Sequence, residues 1–550
     1  MRGREKGIEY DLGWRGRNNV MKIIITYTII CVFQAEVGRV NASIHEYMND
    51  GFIPRFNSFF FHGGSEGLFA SNPPPPPHQH PSSDDKSLHG KSFIRFESIT
   101  FRRPKESASK QNAMQQRTGL VEAIVVEVKD RDKIGKTALH SSTICCTPEL
   151  AKEGICKVGE VIISHDPDKP DWPKRIQTFF EGNNEEAKMV LRTIDINATG
   201  MYYLYFVICD PQLQDTILNG RTVWRNPDGY LPGKMAPLMT FFGLMSLAYL
   251  VLGLVWFIKF LKCWKDVIQL HYHITAVIGL GMTEMALWYF EYSNFNSTGK
   301  RPMGITTWAV TFSAVKKSVA RVLILVVSMG YGVVRPTLAG ITSKVLLLGV
   351  LFFMATQALE LVQHLGNIND LNGKVQLFFV LPVVLLDAVF IFWIFSSLSK
   401  TLEKLQIRKS MIKLELYRKF TNSLAVAVLL SVIWIGYELY FNASDPLNEM
   451  WQRAWIIPAF WALLSYALLV VICILFAPSH NQTRYAYGED TGDDTEEEES
   501  ISLTSSGIKV GGGGDVATKL ERKDRKPSVG GGLDHVVALS DDAVQEDKRE

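Results

Sequence analysis

Apolar residues are distributed unevenly along this chain, and their spacing predicts three regions. Short runs in which apolar and polar residues alternate predict strands in the first half, and the chain is polar after Ala477. The pattern therefore predicts a membrane protein with a β-sandwich, an α-helical seven-transmembrane bundle and a disordered tail at residues 478–550. The apolar segments of spanning length lie near residues 237–260, 269–292, 307–334, 345–364, 375–398, 421–441 and 455–477.

The beginning of the chain has the features of a targeting segment. An apolar run from Ile23 to Phe33 follows Lys22, and small residues come after it at Ala35 and Ala42. This run is too short to span a bilayer, so residues 1–42 are predicted to be a signal peptide region, with a signal anchor as the alternative. Residues 43–236 would then lie in the secretory lumen or outside the cell.

The segment 43–91 is rich in glycine and proline. It contains Gly63, Gly64 and the run Pro73 to Pro77, which favour a loop or a polyproline spacer. His78 and His80 follow that run. These two histidines could bind a metal ion, but the composition around them favours a solvated linker.

From Ser92 the pattern changes to short alternating runs separated by turn residues. Such runs within about 120 residues are typical of a small β-sandwich. The sandwich is predicted over residues 92–220, followed by a linker at 221–236. The predicted strands are 93–96, 120–128, 158–163, 175–180, 188–196 and 201–209.

Four cysteines, Cys145, Cys146, Cys156 and Cys209, fall in the predicted lumenal part. In an oxidising compartment they predict two disulfides. The vicinal pair Cys145 and Cys146 is a poor match for a bond to each other, so each should join Cys156 or Cys209, in an order that the sequence leaves open. A zinc site is the alternative, but the spacing lacks paired C-x-x-C motifs.

The loop charges predict the orientation of the bundle. With a lumenal amino terminus, the short cytoplasmic loops contain twelve basic residues and the lumenal loops contain four, among them Lys300 and Arg301. The sequons at Asn197, Asn296 and Asn442 all fall on the predicted lumenal side and are candidate glycosylation sites. The carboxyl terminus is therefore predicted to be cytoplasmic.

The polar tail carries an acidic cluster near its start. It is interpreted either as a solubilising tail or as a sorting signal that phosphorylation of the neighbouring Thr491, Thr495, Ser500 and Ser502 would strengthen. The acidic residues are Glu489, Asp490, Asp493, Asp494, Glu496, Glu497, Glu498 and Glu499.

Charged side chains inside the predicted spans are costly unless they are paired or hydrated. They are interpreted either as buried ion pairs that fix helix register or as the lining of a hydrated cavity that binds a ligand or passes cations. Glu284 is expected to pair with Lys317 or Arg321. The charged residues are Glu284 and Glu291 in helix 2, Lys316, Lys317 and Arg321 in helix 3, Glu360 in helix 4, Asp387 in helix 5 and Glu438 in helix 6.

Composition and motifs narrow the functional class. The net charge of +2 excludes a nucleic-acid binder that works through bulk charge. The sequence contains no H-E-x-x-H or phosphate-binding G-x-x-x-x-G-K motif, and His364 is the one histidine placed at membrane depth. A non-enzymatic protein without a cofactor or a bound metal is therefore expected.

Several longer stretches resemble one family. They are Trp224 to Leu231 before helix 1, Gly281 to Glu284 in helix 2, Ser313 to Arg321 and Gly330 to Gly332 in helix 3, and Leu416 to Asn422 after the basic third loop. Through them the chain is similar to the Golgi-localised seven-transmembrane family, also called lung seven-transmembrane receptors. It most resembles the transmembrane-protein-87 branch, in a form that looks like a plant member.

The resemblance implies a Golgi-dynamics (GOLD)-like sandwich and residence in the Golgi membrane, the trans-Golgi network, endosomes or the plasma membrane. It also implies a role in membrane protein trafficking, including retrograde transport from endosome to Golgi. The partners it implies are membrane lipids, a lumenal cargo or ligand, cytoplasmic coat or sorting adaptors, and G proteins. Receptor and cation-channel functions are the alternatives. Acidic residues expected near the start of helix 7 are replaced here by Trp451-Gln452-Arg453-Ala454, which weakens the cation-channel interpretation.

Overall fold

The computed structural model describes residues 43–72, 90–111, 117–138, 141–154, 156–164, 167, 171–332, 334, 341–365, 373–445 and 447–478. The predicted signal peptide region, the run Pro73 to Pro77 with His78 and His80, and the acidic tail lie outside the described residues.

The first half of the described chain is a β-sandwich of two antiparallel five-stranded sheets. The core between them is made of large apolar side chains such as Trp224, Phe96, Phe101 and Phe206. One sheet has the order β1 (Ile44–Gly51), β12 (Ile217–Arg225), β4 (Phe93–Arg102) and β10 (Arg192–Asp195), with β9 (Glu186–Lys188) also paired to β4. The other has the order β2 (Ile53–Arg55), β3 (Ser58–Leu68), β11 (Gly200–Ile208), β5 (Gly119–Glu127) and β8 (Lys174–Phe180), and β6 (Lys136–Ala138) pairs with β7 (Ser141–Thr143) as a separate hairpin.

The prediction of a loop over residues 43–91 is wrong for its first part, which forms β1 to β3. The glycines of β3 do not break the strand, because they admit side chains from neighbouring strands. A Cβ at Gly63 would lie 2.7 Å from the Phe206 ring, and Gly64 has φ +139° where the pairing of β3 with β11 is irregular. Glycine inside a strand often marks such a close approach or a bulge.

Three other boundaries differ from the prediction. β12 runs to Arg225 and thus occupies the first part of the predicted linker. The predicted strand 188–196 is interrupted. β9 ends at Lys188 and β10 begins at Arg192, and the side chains of Val190 and Leu191 between them are exposed to solvent. Residues 158–163 do not form a strand and are held by isolated bridges, such as Cys145 with Val161.

Two disulfides fasten this irregular segment to the sandwich. Cys145 is bonded to Cys209 at the end of β11, and Cys146 is bonded to Cys156. The vicinal cysteines are therefore not joined to each other, and the order that the sequence left open is fixed. These four sulfurs are not available as zinc ligands.

Within the described residues, seven long helices follow the sandwich, at the places of the predicted apolar segments. Five of them are long and apolar enough to cross a membrane. The second and third helices, which carry Glu284, Glu291, Lys316, Lys317 and Arg321, are too polar to meet this criterion of length and composition. The helices are α1 (Ala236–Lys262), α2 (Gln269–Thr298), α3 (Met303–Ser328), α4 (Thr342–Leu365), α5 (Gly373–Ile407), α6 (Met411–Ser444) and α7 (Ile456–Leu475).

The packing places α3 at the centre of the polar interior. It contacts α2, α4 and α5, while successive neighbours along the chain also contact each other and α7 contacts α1. Aromatic side chains fill the space between α1 and α2 near the sandwich. The ring of Phe242 on α1 packs against the rings of Trp288 and Tyr292 on α2.

Candidate functional site: the junction of the sandwich and the helices

A tryptophan in the connection between α6 and α7 joins the helices to the sandwich. Trp451 is 3% exposed and lies against Gly67 of β3 and against Gly233, just before α1. A Cβ at either glycine would stand 2.5 Å from the indole, so only glycine leaves room for the ring. The Gly233 N–H donates to the Gly67 carbonyl at 2.9 Å, which holds the two glycines together.

The same connection touches the sandwich at a second point. Tyr203 of β11 donates its hydroxyl to the Leu447 carbonyl at 3.1 Å. Phe69 places its ring 5.2 Å from that of Trp451. Val128 packs into the same small apolar cluster. The α6–α7 connection is therefore fixed to the sandwich by both packing and hydrogen bonding.

Asn296 at the end of α2 forms a third link. Its Oδ1 accepts from the Leu231 N–H at 3.0 Å, and its Nδ2 donates to the Asp228 carbonyl at 3.1 Å. Gly229 between them has φ +147°, and a Cβ there would lie 2.3 Å from Asn296 Oδ1. Asn226 completes this turn by donating to the Leu231 carbonyl. The turn after β12 thus fits around the Asn296 amide.

We expect Asn296 not to carry a glycan, although its sequon predicted one. A glycan is attached through Nδ2, which is engaged in the junction, and a bulky sugar there would separate Asp228 from α2. Asn197 lies exposed between β10 and β11 and serves as the matched site. Electrophoretic mobility of the mature protein should therefore change for Asn197→Gln and not for Asn296→Gln. A mobility change with Asn296→Gln would contradict the assignment.

Two residues of strand β1, His45 and Glu46, make polar contacts with charged side chains at the junction of the sandwich and the helices. Glu46 pairs with Lys300 of the α2–α3 connection at 2.6 Å. His45 Nε2 lies 3.1 Å from Oε1 of Glu66, a β3 carboxylate that is 5% exposed and that also accepts from Ser43 Oγ. Burial raises the pKa of the Glu66 carboxyl and lowers the pKa of the nearby Lys234 ammonium.

Inside the bundle, the three cations of α3 pair with carboxylates on three different helices. Lys316 Nζ lies 2.6 Å from Glu284 of α2, with both side chains at most 5% exposed. Lys317 pairs with Glu360 of α4, which also accepts from Ser313 Oγ at 3.3 Å. Arg321 binds Asp387 of α5 through two nitrogens, and its guanidinium lies 4.4 Å from the centre of the Phe352 ring.

The prediction that Glu284 pairs with Lys317 or Arg321 is therefore wrong. Neighbouring residues of a helix point about 100° apart, so Lys316 and Lys317 cannot face the same partner. Lys316 faces α2, whereas Lys317 and Arg321, four residues apart on one face, point to α4 and α5.

The remaining predicted intramembrane acids lie elsewhere. Glu291 of α2 is paired at 2.9 Å with Arg301 of the α2–α3 connection, whose side chain is buried. Arg301 also donates to the His364 carbonyl at 2.9 Å, so it joins the ends of α2 and α4. Glu438 of α6 accepts from Trp461 Nε1 at 3.4 Å and is not joined to the group around α3.

Three buried oxygens on α4 have no hydrogen-bond partner within the described part of the chain: Thr356 Oγ1, Gln357 Oε1 and Glu360 Oε2. All three residues are at most 5% exposed. Buried oxygens of this kind are suited to bind water or a polar ligand. Among the described residues, no group of three or more His, Cys, Asp or Glu side chains could hold a metal ion.

The sequence contained signals for only part of this junction. The stretch Trp224 to Leu231 stood out as a family motif, and it supplies the turn around Asn296. The sequence marks Trp451 only as part of a segment without the expected acidic residues, and its pattern predicts a loop around Gly67. Glycine at positions 67, 229 and 233 could have indicated places where the backbone approaches a bulky side chain. The sequence does not show that these side chains are Trp451 and Asn296.

Comparison with known protein families agrees with this architecture. The family described as "GOST, seven transmembrane domain" matches residues 237–483. Transmembrane protein 87B of Mus musculus is 34% identical over 315 residues, which cover 56% of each chain. Transmembrane protein 87A of Homo sapiens is 34% identical over 289 residues, 52% of this chain and 51% of the relative.

A more distant relative is Membrane protein PTM1 of Saccharomyces cerevisiae, 23% identical over 294 residues, 51% of this chain and 55% of the relative. The chain thus spans about half the length of the curated relatives it matches. The family match covers all seven long helices, and the resemblance first indicated by the helix 2 and helix 3 motifs is confirmed. The helical region of the chain thus matches the GOST seven-transmembrane domain, and the chain is similar to the transmembrane protein 87 relatives.

Proposed function

We propose that this protein acts without enzymatic chemistry in membrane protein trafficking at the Golgi. In this proposal the sandwich faces the lumen and recognises a cargo or ligand, and the tail faces the cytoplasm and binds coat or sorting adaptors. The loop charges and the exposed Asn197 sequon support that orientation. The match to the GOST seven-transmembrane domain supports a multi-pass membrane protein.

One observation carries the proposal: the sandwich is attached to two separate helix connections. It contacts the α2–α3 connection through the pair of Glu46 and Lys300. It contacts the α6–α7 connection through Trp451 and Leu447. Binding of a cargo to the sandwich therefore has a direct mechanical route to the helices. This route is what a receptor needs in order to report cargo across a membrane.

A complementation experiment tests the proposal. In cells that lack the protein, a tagged Golgi-resident glycoprotein should redistribute to later compartments, and the full chain should restore its position. Trp451→Ala should reach the Golgi and fail to restore it. Trp264→Ala should restore it, because Trp264 is 66% exposed and lies at the other end of α1. An unchanged reporter in the deficient cells would refute the trafficking function.

The acidic tail gives a separate test of the sorting step. Deleting residues 489–502 should shift the tagged protein towards the cell surface or the vacuole, because the deletion removes the acidic cluster proposed to bind adaptors. Quantitative microscopy of the deletion and of a deletion of the glycine-rich residues 511–514 as control measures the effect. Equal distributions would leave the cluster as a solubilising segment only.

A second function is a cation-conducting or ligand-sensing bundle with coupling to G proteins. It is favoured by the buried oxygens of Thr356, Gln357 and Glu360 on α4, which have no hydrogen-bond partner among the described residues. Against conduction stands the pairing of each α3 cation with a carboxylate. Flux into liposomes that contain the purified full chain tests this function. Ion flux that is abolished by Gln357→Leu would support it over the trafficking role.

A further inference from the structure

We propose that His45 and Glu66 form a proton-sensitive clamp that tightens the junction between the sandwich and the helices when the surrounding compartment becomes acidic. The proposal rests on the lumenal placement of the sandwich, and thus on the proposed function. The geometry that carries it is the 3.1 Å contact between His45 Nε2 and Glu66 Oε1.

The clamp lies where several elements of the junction meet. His45 belongs to β1, whose next residue, Glu46, reaches Lys300 of the α2–α3 connection. Glu66 belongs to β3, next to Gly67, against which Trp451 packs. The hydroxyl of Ser43, just before β1, lies within hydrogen-bonding distance of both Glu66 Oε2 and the Tyr230 carbonyl in the turn before α1, and its single proton can be donated to either. Opening the contact of His45 with Glu66 would therefore loosen the base of β1, which borders the helices.

The pair is suited to take up one proton. Histidine is the side chain that ordinarily changes charge between about pH 5 and 8. With His45 neutral, the contact is a hydrogen bond to a carboxylate, and with His45 protonated it becomes an ion pair between two charged groups. Glu66 is almost fully buried, so solvent screens this attraction little.

The direction of the pH dependence is set by which form of the clamp, closed or open, holds the added proton more firmly. In the closed form, the proton on His45 lies beside the Glu66 carboxylate. In the open form, both groups are exposed to water. Because the closed form binds more protons than the open form, its stability rises as the pH falls and is lost as the pH rises.

Other titratable groups around the pair modify this balance. Lys234, before α1, favours the ionised form of Glu66 and so opposes uptake, while Arg301 acts in turn on Lys234. On β3, His62 is kept neutral, since burial lowers its pKa to about 4. On β1, Tyr47 donates to the Gly63 carbonyl, and burial raises its pKa above the physiological range. Neither His62 nor Tyr47 therefore changes its charge on mild acidification.

Hydrogen exchange of the β1 amides in the purified full chain tests the clamp. After correction for the intrinsic exchange rate, protection of Ile44 to Tyr47 should increase up to about tenfold for one pH unit of acidification, the limit for one linked proton. His45→Gln keeps a hydrogen-bond donor that does not titrate, and Glu66→Gln removes the carboxylate, so both should abolish the increase. His273→Gln, an exposed histidine on α2, should leave it unchanged.

Two results would overturn the clamp: constant protection in the wild-type chain, or an unchanged pH dependence in His45→Gln that folds normally. Exchange at β12, the neighbour of β1, reports whether each variant is folded. The measurement uses the purified protein and needs no cargo. A pH-dependent β1 together with normal reporter sorting in deficient cells would therefore refute the trafficking function and leave the clamp intact.

Discussion

Replacing Glu284 by glutamine is expected to destabilise the folded bundle by about 3–5 kcal/mol, the usual effect of breaking a buried ion pair. The change leaves the Lys316 ammonium buried without its carboxylate, since Glu284 Oε2 is its ion-pair partner at 2.6 Å. The double variant Glu284→Gln with Lys316→Met should recover most of that loss, because it removes the stranded charge as well. Thermal unfolding in detergent measures all three proteins.

A surface pair provides the control for this cycle. Glu415 and Lys419 are four residues apart on α6, and both are more than 60% exposed. Glu415→Gln should change the free energy of unfolding by less than about 0.5 kcal/mol. Additive losses in the Glu284 and Lys316 double variant would mean that the pair is absent. A change in ion flux with Glu284→Gln at undiminished stability would instead favour a conducting bundle.

Trp451→Ala is expected to separate the sandwich from the helices. Truncation of a buried tryptophan typically costs about 3–5 kcal/mol, and here the vacated space lies between Gly67 and Gly233, whose lack of side chains leaves little to refill it. Limited proteolysis should cut the variant between β12 and α1 and release an intact sandwich. Trp264→Ala is the control, because this indole is exposed. Equal resistance of the two variants to proteolysis would contradict the role of Trp451.

The helices could be predicted from the sequence because each apolar run is long and contains few charges. The set of intramembrane charges could be predicted for the same reason, since a charge is conspicuous in an apolar run. The partner of Glu284 could not, because the choice between Lys316 and Lys317 depends on the rotation of α3 about its axis. That rotation is set by packing against α2, α4 and α5 together.

The junction was beyond sequence reasoning for a different reason. Its contacts join residues that are far apart in the chain, such as Trp451 with Gly67 and Asn296 with Leu231. The sequence around Gly63 and Gly64 has the composition of a loop, and only the side chains of β11 and β1 explain why glycine occupies a strand there. The sequence places Arg301 correctly in the α2–α3 connection, but it does not show that the side chain is buried against Glu291 of the preceding helix.

The central claim is that the sandwich and the helices are coupled through Trp451. Hydrogen exchange across the thermal unfolding of the full chain tests it most directly, by following β11 of the sandwich and α3 of the bundle in the same sample. We predict that both lose protection in one transition in the wild-type chain and in two transitions in Trp451→Ala. If the wild-type chain instead unfolds in two transitions, at the same midpoint temperatures as Trp451→Ala, the claim is contradicted.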